Sequence, residues 1–158
     1  YRIGSGVRLA EPSGRIKQIA AGAADQLRCK MNTYVHLGLS RLTDRTGFFS
    51  KRATRRLVRQ LELFKPDIVH LHNLHSNYIN LELLFSYLAK RDIATVITLH
   101  DCWFFTGKCT HYTSAKCNKW QTGCGSCPQL KKDIPSWFFD RTAKMWKDKK
   151  ELFYYHLF

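Results

Sequence analysis

Histidines crowd two short stretches of this chain, and four cysteines follow the second of them. The first stretch holds His70, His72, Asn73 and His75; the second is His100-Asp101, followed at once by Cys102 and Trp103. An imidazole donates, accepts or exchanges a proton near neutral pH, so several at one edge suit a sugar or a phosphate. Cys109, Cys117, Cys124 and Cys127 form a C-x₇-C-x₆-C-x₂-C run. Four thiolates make a closed tetrahedral zinc site that shapes a loop and leaves no open position for chemistry. Only Cys124-Gly-Ser-Cys127 is a tight pair, while Gly123 and Gly125 let the chain bend closely. A structural zinc is therefore the leading reading, two disulfides come next and free thiols last. A catalytic zinc on His70, His72, His75 and His100 has the count but no helix-borne spacing and no carboxylate partner. Cys29 and Cys102 read as small buried residues.

The elements that position these groups follow from periodicity. The first two dozen residues are rich in Gly, Ala and Arg without a period and read as loop. From Asp25 to Arg45, Leu27, Met31, Tyr34, Val35, Leu39 and Leu42 recur at helical spacing, which predicts a helix with that stripe inward. A second helix starts at Ser50, a good N-cap residue, and buries Ala53, Leu57, Val58, Leu61 and Phe64. Pro66 ends it, because the residue before a proline is pushed out of the helical region. Asp67–His72 reads as a strand, residues 79–91 as a helix, and Ala94–Leu99 as an almost wholly apolar strand. Strand, helix, strand is a βαβ unit with parallel strands, and an apolar strand without alternation suits a sheet covered on both faces. A last helix is expected from Trp137 to Phe153, capped by Ser136 and burying Phe138, Met145, Trp146 and Leu152.

The fold class is thus α/β: a Rossmann-like open parallel sheet with a cysteine-rich loop insertion over residues 102–130. Ligands of such sheets bind beyond the carboxyl ends of the strands, where both histidine stretches fall. His70 and His72 share one sheet face because side chains alternate. His70 reads first as a satisfied core residue beneath a helix. His72 and His75 are balanced between a loop contact and function. Position and the Asp neighbour favour function for His100.

The chain has 158 residues and a formal net charge of +14, enough for one domain with a core and a field that attracts polyanions. No run approaches the ~18 apolar residues that cross a bilayer, and no signal-peptide pattern opens it. That favours a reducing compartment, where clustered thiols bind metal more often than each other. Lys51, Arg52, Arg55, Arg56 and Arg59 fall on one helical face without aromatic interleaving, which reads as a solvated face rather than a nucleic-acid reader. The aromatics Trp103, Phe104, Phe105, Tyr112 and Trp120 read equally as a sugar platform or as the cover of a small loop. A start at Tyr1 and the aromatic run Phe153–Phe158 give the expectation of a piece of a longer protein.

Lys65-Pro-Asp-Ile-Val-His-Leu-His-Asn-Leu-His75, Thr98-Leu-His-Asp-Cys-Trp103, Thr106-Gly107, the cysteine run and Cys127-Pro-Gln-Leu130 together resemble family 4 glycosyltransferases of the bacterial polysaccharide type. Gly38-Leu-Ser-Arg-Leu-Thr-Asp-Arg-Thr-Gly47 and Lys51-Arg-Ala-Thr-Arg55 are similar to the subgroup related to colanic-acid transferases. The resemblance runs from about residue 31 to about residue 153. It implies that residues 1–158 are an incomplete amino-terminal, acceptor-side domain of a two-domain GT-B enzyme. The family's opening strand, glycine-rich loop, first helix and second strand are missing, as is the carboxyl-terminal domain that holds the nucleotide and a pair of glutamates. It implies retaining transfer of a sugar from a nucleotide-sugar to a saccharide or lipid-linked acceptor. His100 and Asp101 would be catalytic, with His100 near the transferred sugar rather than a nucleophile and Asp101 orienting the His100 ring or the strand-end turn. His72, Asn73, His75 and Trp103 would line the acceptor side. No catalytic cofactor is implied, and the setting would be cytoplasmic, peripheral to the inner face of an anionic membrane, which suits the basic charge. This chain alone would be inactive. The rival readings are a zinc-binding basic module that binds nucleic acid and a non-catalytic carbohydrate-binding domain.

Overall fold

The computed structural model describes residues 6–10, 16–17 and 30–157. Its elements run β1 (Gly6–Ala10), β2 (Ile16–Lys17), α1 (Lys30–Thr43), α2 (Lys51–Phe64), β3 (Ile68–His72), α3 (Leu81–Lys90), β4 (Ala94–Thr98) and α4 (Thr142–Leu157). Two 3-10 turns, Tyr112–Ala115 and Lys119–Gln121, lie inside the cysteine-rich loop.

The βαβ unit forms as its sequence dictates. β3 and β4 pair in parallel, with His70 opposite Val96 and His72 opposite Thr98. Asn80 opens α3: its side chain accepts the Leu83 N–H, its Nδ2 donates to the Phe48 carbonyl, and its own N–H bonds Thr54 Oγ1. One fully buried residue thereby caps α3 and ties it to α2. Lys65 leaves α2 in the left-handed region (φ 49) just before Pro66, while its N–H still reaches the Leu61 carbonyl. The first two dozen residues are not all loop. β1 and β2 pair with each other, and β1 adds antiparallel to β3, giving a four-stranded mixed sheet in the order β2-β1-β3-β4. The exposed backbone of a strand edge pairs with any extended segment that reaches it, whatever its side-chain period.

α2, α3 and α4 share one core with the covered face of the sheet. Ala53, Leu57 and Leu61 meet Val69, Leu71, Leu81, Leu84, Phe85, Leu88, Met145 and Leu152 there. Each of these side chains except Ala53 contributes roughly 1.5–3 kcal/mol of burial. Among the described residues no helix covers the other face, where Ile68 is 41% and Val96 49% exposed. His70 and His72 lie on this open face, so His70 is no core residue under a helix.

Two helices differ from expectation. The start of the expected Asp25–Arg45 helix and Cys29 lie outside the described residues. Within α1 the apolar stripe points outward, with Met31, Tyr34 and Val35 more than half exposed, and the polar side goes in. His36 and Ser40 are buried because a polar network holds them. Gly47 N–H donates to His36 Nε2, leaving Nδ1 to donate to Ser50 Oγ at 2.6 Å, and Asn32 Nδ2 donates to the same oxygen. Ser50 occupies the N-cap position of α2, as expected, but its hydroxyl serves α1 and makes no cap bond. α4 starts at Thr142, not Trp137. The Asp140 carboxylate accepts both the N–H and the hydroxyl of Thr142, whereas Ser136 is buried with its hydroxyl on the Phe139 carbonyl. Phe138, expected inside, is 71% exposed because it precedes the helix whose inner face it seemed to continue.

Candidate active site at the carboxyl ends of β3 and β4

Parallel register brings both histidine stretches to one rim. His72 ends β3 opposite Thr98, and two residues further His100 stands beside it, with His72 Nδ1 2.9 Å from His100 Nε2. Two neutral imidazoles at that distance share one proton, one ring donating and the other accepting. The His70 and His72 rings lie 4.1 Å apart between centroids, tilted by 43°, and His70 Nε2 meets Thr98 Oγ1 at 2.6 Å. The result is a row of three imidazoles ending on the exposed His100.

A second pair flanks the row. His75 Nε2 lies 2.6 Å from Asp101 Oδ2, and Asp101 Oδ1 accepts the Trp103 N–H at 2.8 Å. Asp101 therefore fixes the strand-end turn and the ring of His75; the His100 ring is held by His72. Asn73 turns the chain between His72 and His75 in the left-handed region (φ 44), with its carbonyl accepting from the Tyr78 hydroxyl. Trp103 is wholly buried (0% exposed), so its ring supports the edge of His75 and offers no face to a ligand. Its neighbours are Phe104, the Lys149 ammonium 4.0 Å above the ring, and Gly47, where an added Cβ would sit 2.9 Å from Trp103 Cη2. Sequence reasoning missed Lys149 altogether. It is fully buried, donates to the Trp103 carbonyl, and is drawn down to a pKa of about 7 by burial.

The cysteine-rich loop packs behind this turn. Cys109 and Cys127 are hydrogen bonded; that bond, then burial, pushes the Cys109 thiol up, and the same bond holds Cys127 down to about 7. The Gly107 N–H donates to Cys124 Sγ at 3.1 Å, and Gly123 and Gly125 both take positive φ, as their places in the run suggested. All four thiols are free, and among the described residues no three His, Cys, Asp or Glu side chains already converge as a metal site. The loop is pinned to α1 by the buried Lys108–Asp44 ion pair, whose other carboxylate oxygen accepts the Arg141 N–H. Phe105, Tyr112 and Trp120 cluster within 6.2 Å of one another, and Phe105 and Trp120, with Trp146, Phe153 and Tyr154, line an apolar hollow. The basic residues Lys51, Arg52, Arg55, Arg56 and Arg59 of α2 are exposed to solvent. Among the described residues no helix is long and apolar enough to cross a membrane.

Comparison with known proteins covers these segments. The sequence model of Glycosyltransferase Family 4 matches residues 18–145. The chain is 32% identical over 129 residues to WcaC of Escherichia coli (strain K12), whose name proposes a glycosyl transferase of colanic acid biosynthesis. That similarity covers 78% of this chain and 31% of the relative, so the chain spans about a third of that protein's length. No solved structure gives a significant match. The family match takes in β3, β4, both histidine stretches and the whole cysteine run, and on it the chain belongs to Glycosyltransferase Family 4.

Proposed function

We propose that the protein carrying this chain transfers a sugar, with retention at the anomeric carbon, from a nucleotide-sugar donor to a saccharide or lipid-linked acceptor in polysaccharide biosynthesis. This chain supplies the acceptor-side half of the site, and the nucleotide is held by a second domain. The observation that carries the reading is the His72–His100 contact at the carboxyl rim of a parallel strand pair.

The chemistry follows from the ring atoms. His72 engages Nε2 of His100, which leaves Nδ1 for a ligand. When His72 donates, His100 Nδ1 carries a proton and donates to a sugar oxygen; when His72 accepts, Nδ1 takes a proton from a sugar hydroxyl. Either way His72 fixes the orientation of the ring before substrate arrives, which is the source of its value in a transition state. His100 thereby positions the transferred sugar and stabilises developing charge, without forming a bond to carbon. His75, braced by Asp101 and Trp103, lines the acceptor side with Asn73.

The test is turnover of the full-length protein, read as nucleoside diphosphate release from a nucleotide-sugar. His100→Ala lowers kcat roughly 10²-fold, the scale of losing one preorganised polar group, while donor binding is kept. A His100→Ala enzyme of undiminished kcat overturns the assignment. Turnover by the 158-residue chain alone overturns the half-site reading. A peripheral seat at the inner face of an anionic membrane accompanies this proposal. It is supported by the outward apolar face of α1, the exposed Trp137-Phe138-Phe139 beside it, Arg41 and Arg141 over those rings, and the net charge of +14.

A further inference from the structure

Four features of the cysteine-rich loop have no part in sugar transfer. The first is proximity. The Cys109 and Cys127 thiols are hydrogen bonded, Cys117 acts on both Cys109 and Cys124, and Cys127 acts on Cys124. All four thiols are free and belong to one loop, although they are spread over nineteen positions of chain, from 109 to 127. The second is the backbone. Gly107 N–H points at Cys124 Sγ and the Gln129 backbone bonds Cys127. Peptide N–H groups aimed at sulfur favour thiolate over thiol, and they are the usual outer support of a thiolate–metal site. Gly107 has no room for a side chain, since a Cβ there would lie 2.5 Å from the Thr142 carbonyl oxygen and 2.9 Å from Cys124 Cβ.

The third feature is a pair of buried lysines. Lys108 is 4% exposed and Lys149 is 0% exposed. Lys108 is paired with Asp44, but Lys149 is bonded to the Trp103 carbonyl, and Cys124, ahead of Asp101, is the group whose negative form would offset it most. A buried ammonium without a carboxylate partner is costly unless a nearby anion offsets it. Zinc with four thiolates carries a net charge of −2 and is such an anion. The fourth is the scaffold: Cys127 N–H is held by Asp140, and Lys119 ties down the carbonyls of Gly125 and Ser126, so the tight Cys124–Cys127 pair sits on a braced turn.

We propose that Cys109, Cys117, Cys124 and Cys127 bind one zinc ion as a closed structural site, with Lys149 as its buried counter-charge. The sulfurs do not yet converge on one point among the described residues, so binding draws them inward to about 2.3 Å from the ion. The positive-φ glycines Gly123 and Gly125, with nothing or only Ala143 Cβ near them, let the turn follow. The site holds loop 102–130 in shape and performs no step of transfer, so it stands or falls apart from the proposed activity.

The chain is purified under reductant without chelator, and zinc is counted per chain by elemental analysis. Cobalt(II) is then substituted and its visible spectrum recorded. The expected result is a stoichiometry near one, intense tetrahedral thiolate bands with cobalt, and release of four titratable thiols when the metal is stripped. Cys117→Ser and Cys124→Ser lose these bands, whereas Cys102→Ser, outside the four-cysteine run, keeps them. Because a variant can lose metal by misfolding, the wild-type stoichiometry decides. Near-zero zinc with all thiols free overturns the proposal, and so does a mass lower by two hydrogens per cystine. Full cobalt bands in Cys117→Ser would overturn it as well.

Discussion

Acidification tests the arrangement of α1 most directly. His36 is 1% exposed, accepts the Gly47 N–H at Nε2, and so must be neutral; burial lowers its pKa from 6.5 to about 4. Below about pH 6.5 the unfolded chain takes up the proton at this residue, while the native chain refuses it until about pH 4. In that window the unfolded state binds more protons, so stability falls with pH, and below pH 4 this contribution is exhausted. A shift of about 2.5 units at about 1.4 kcal/mol per unit makes the whole loss about 3 kcal/mol. Urea unfolding followed by tryptophan fluorescence, at steps between pH 7 and pH 4, measures it. His36→Asn keeps a donor toward Ser50 but carries no titratable group. It should start less stable than the wild type and fall less steeply, the two curves converging by about 3 kcal/mol across the window. Parallel curves would refute a buried neutral His36, and with it the inward polar face of α1.

Two further outcomes follow from the same contacts. Gly47→Ala forces a Cβ against Trp103 and Leu81 from a left-handed φ of +89, and should cost about 1–3 kcal/mol in urea unfolding; a neutral result would mean that Trp103 is not packed where the structure has it. Vesicles rich in anionic lipid should carry the chain upward in flotation at low salt and release it at high salt. Phe138→Ser with Phe139→Ser should weaken capture at least several-fold, and unchanged capture would remove this surface as the contact.

How much was legible before the fold was seen depended on whether a residue's fate is set locally. The β3–α3–β4 unit was readable because its apolar run, helix period and turn residues are all short-range signals, and its parallel register then places His72 beside His100. The orientation of α1 was not readable. Its period is clear, but which side goes in is decided by Gly47 and Ser50, eleven and fourteen positions beyond His36, and by Asn77 on Ser40. The start of α4 was misjudged for a related reason: Ser136 is a fair cap by type, yet its hydroxyl is taken by the Phe139 carbonyl and Asp140 does the capping. β1 was lost because its pairing to β3 is non-local and leaves no period in so short a segment, and the two-residue β2, which pairs only with β1, went with it. The burial of Trp103 needed α4, more than forty residues downstream, to bring Lys149 over its ring.

That last contact bears on how the site and the loop depend on each other. The chain passes from His100 and Asp101 directly into the loop, and Cys102 N–H is held by the Thr110 carbonyl one residue beyond Cys109. Trp103 therefore has its backbone N–H on the acid that braces His75 and its carbonyl on the lysine that faces the thiols. His75 in turn touches the Trp103 ring edge. A loosened loop would free Lys149, Lys149 would free Trp103, and the Asp101–His75 pair would lose its backing before any residue of the imidazole row moved. His100, held instead by His72 and the β3–β4 register, is insulated from that route. The arrangement separates two supports physically: the sheet register fixes His72 and His100, and the loop backs the Asp101–His75 pair.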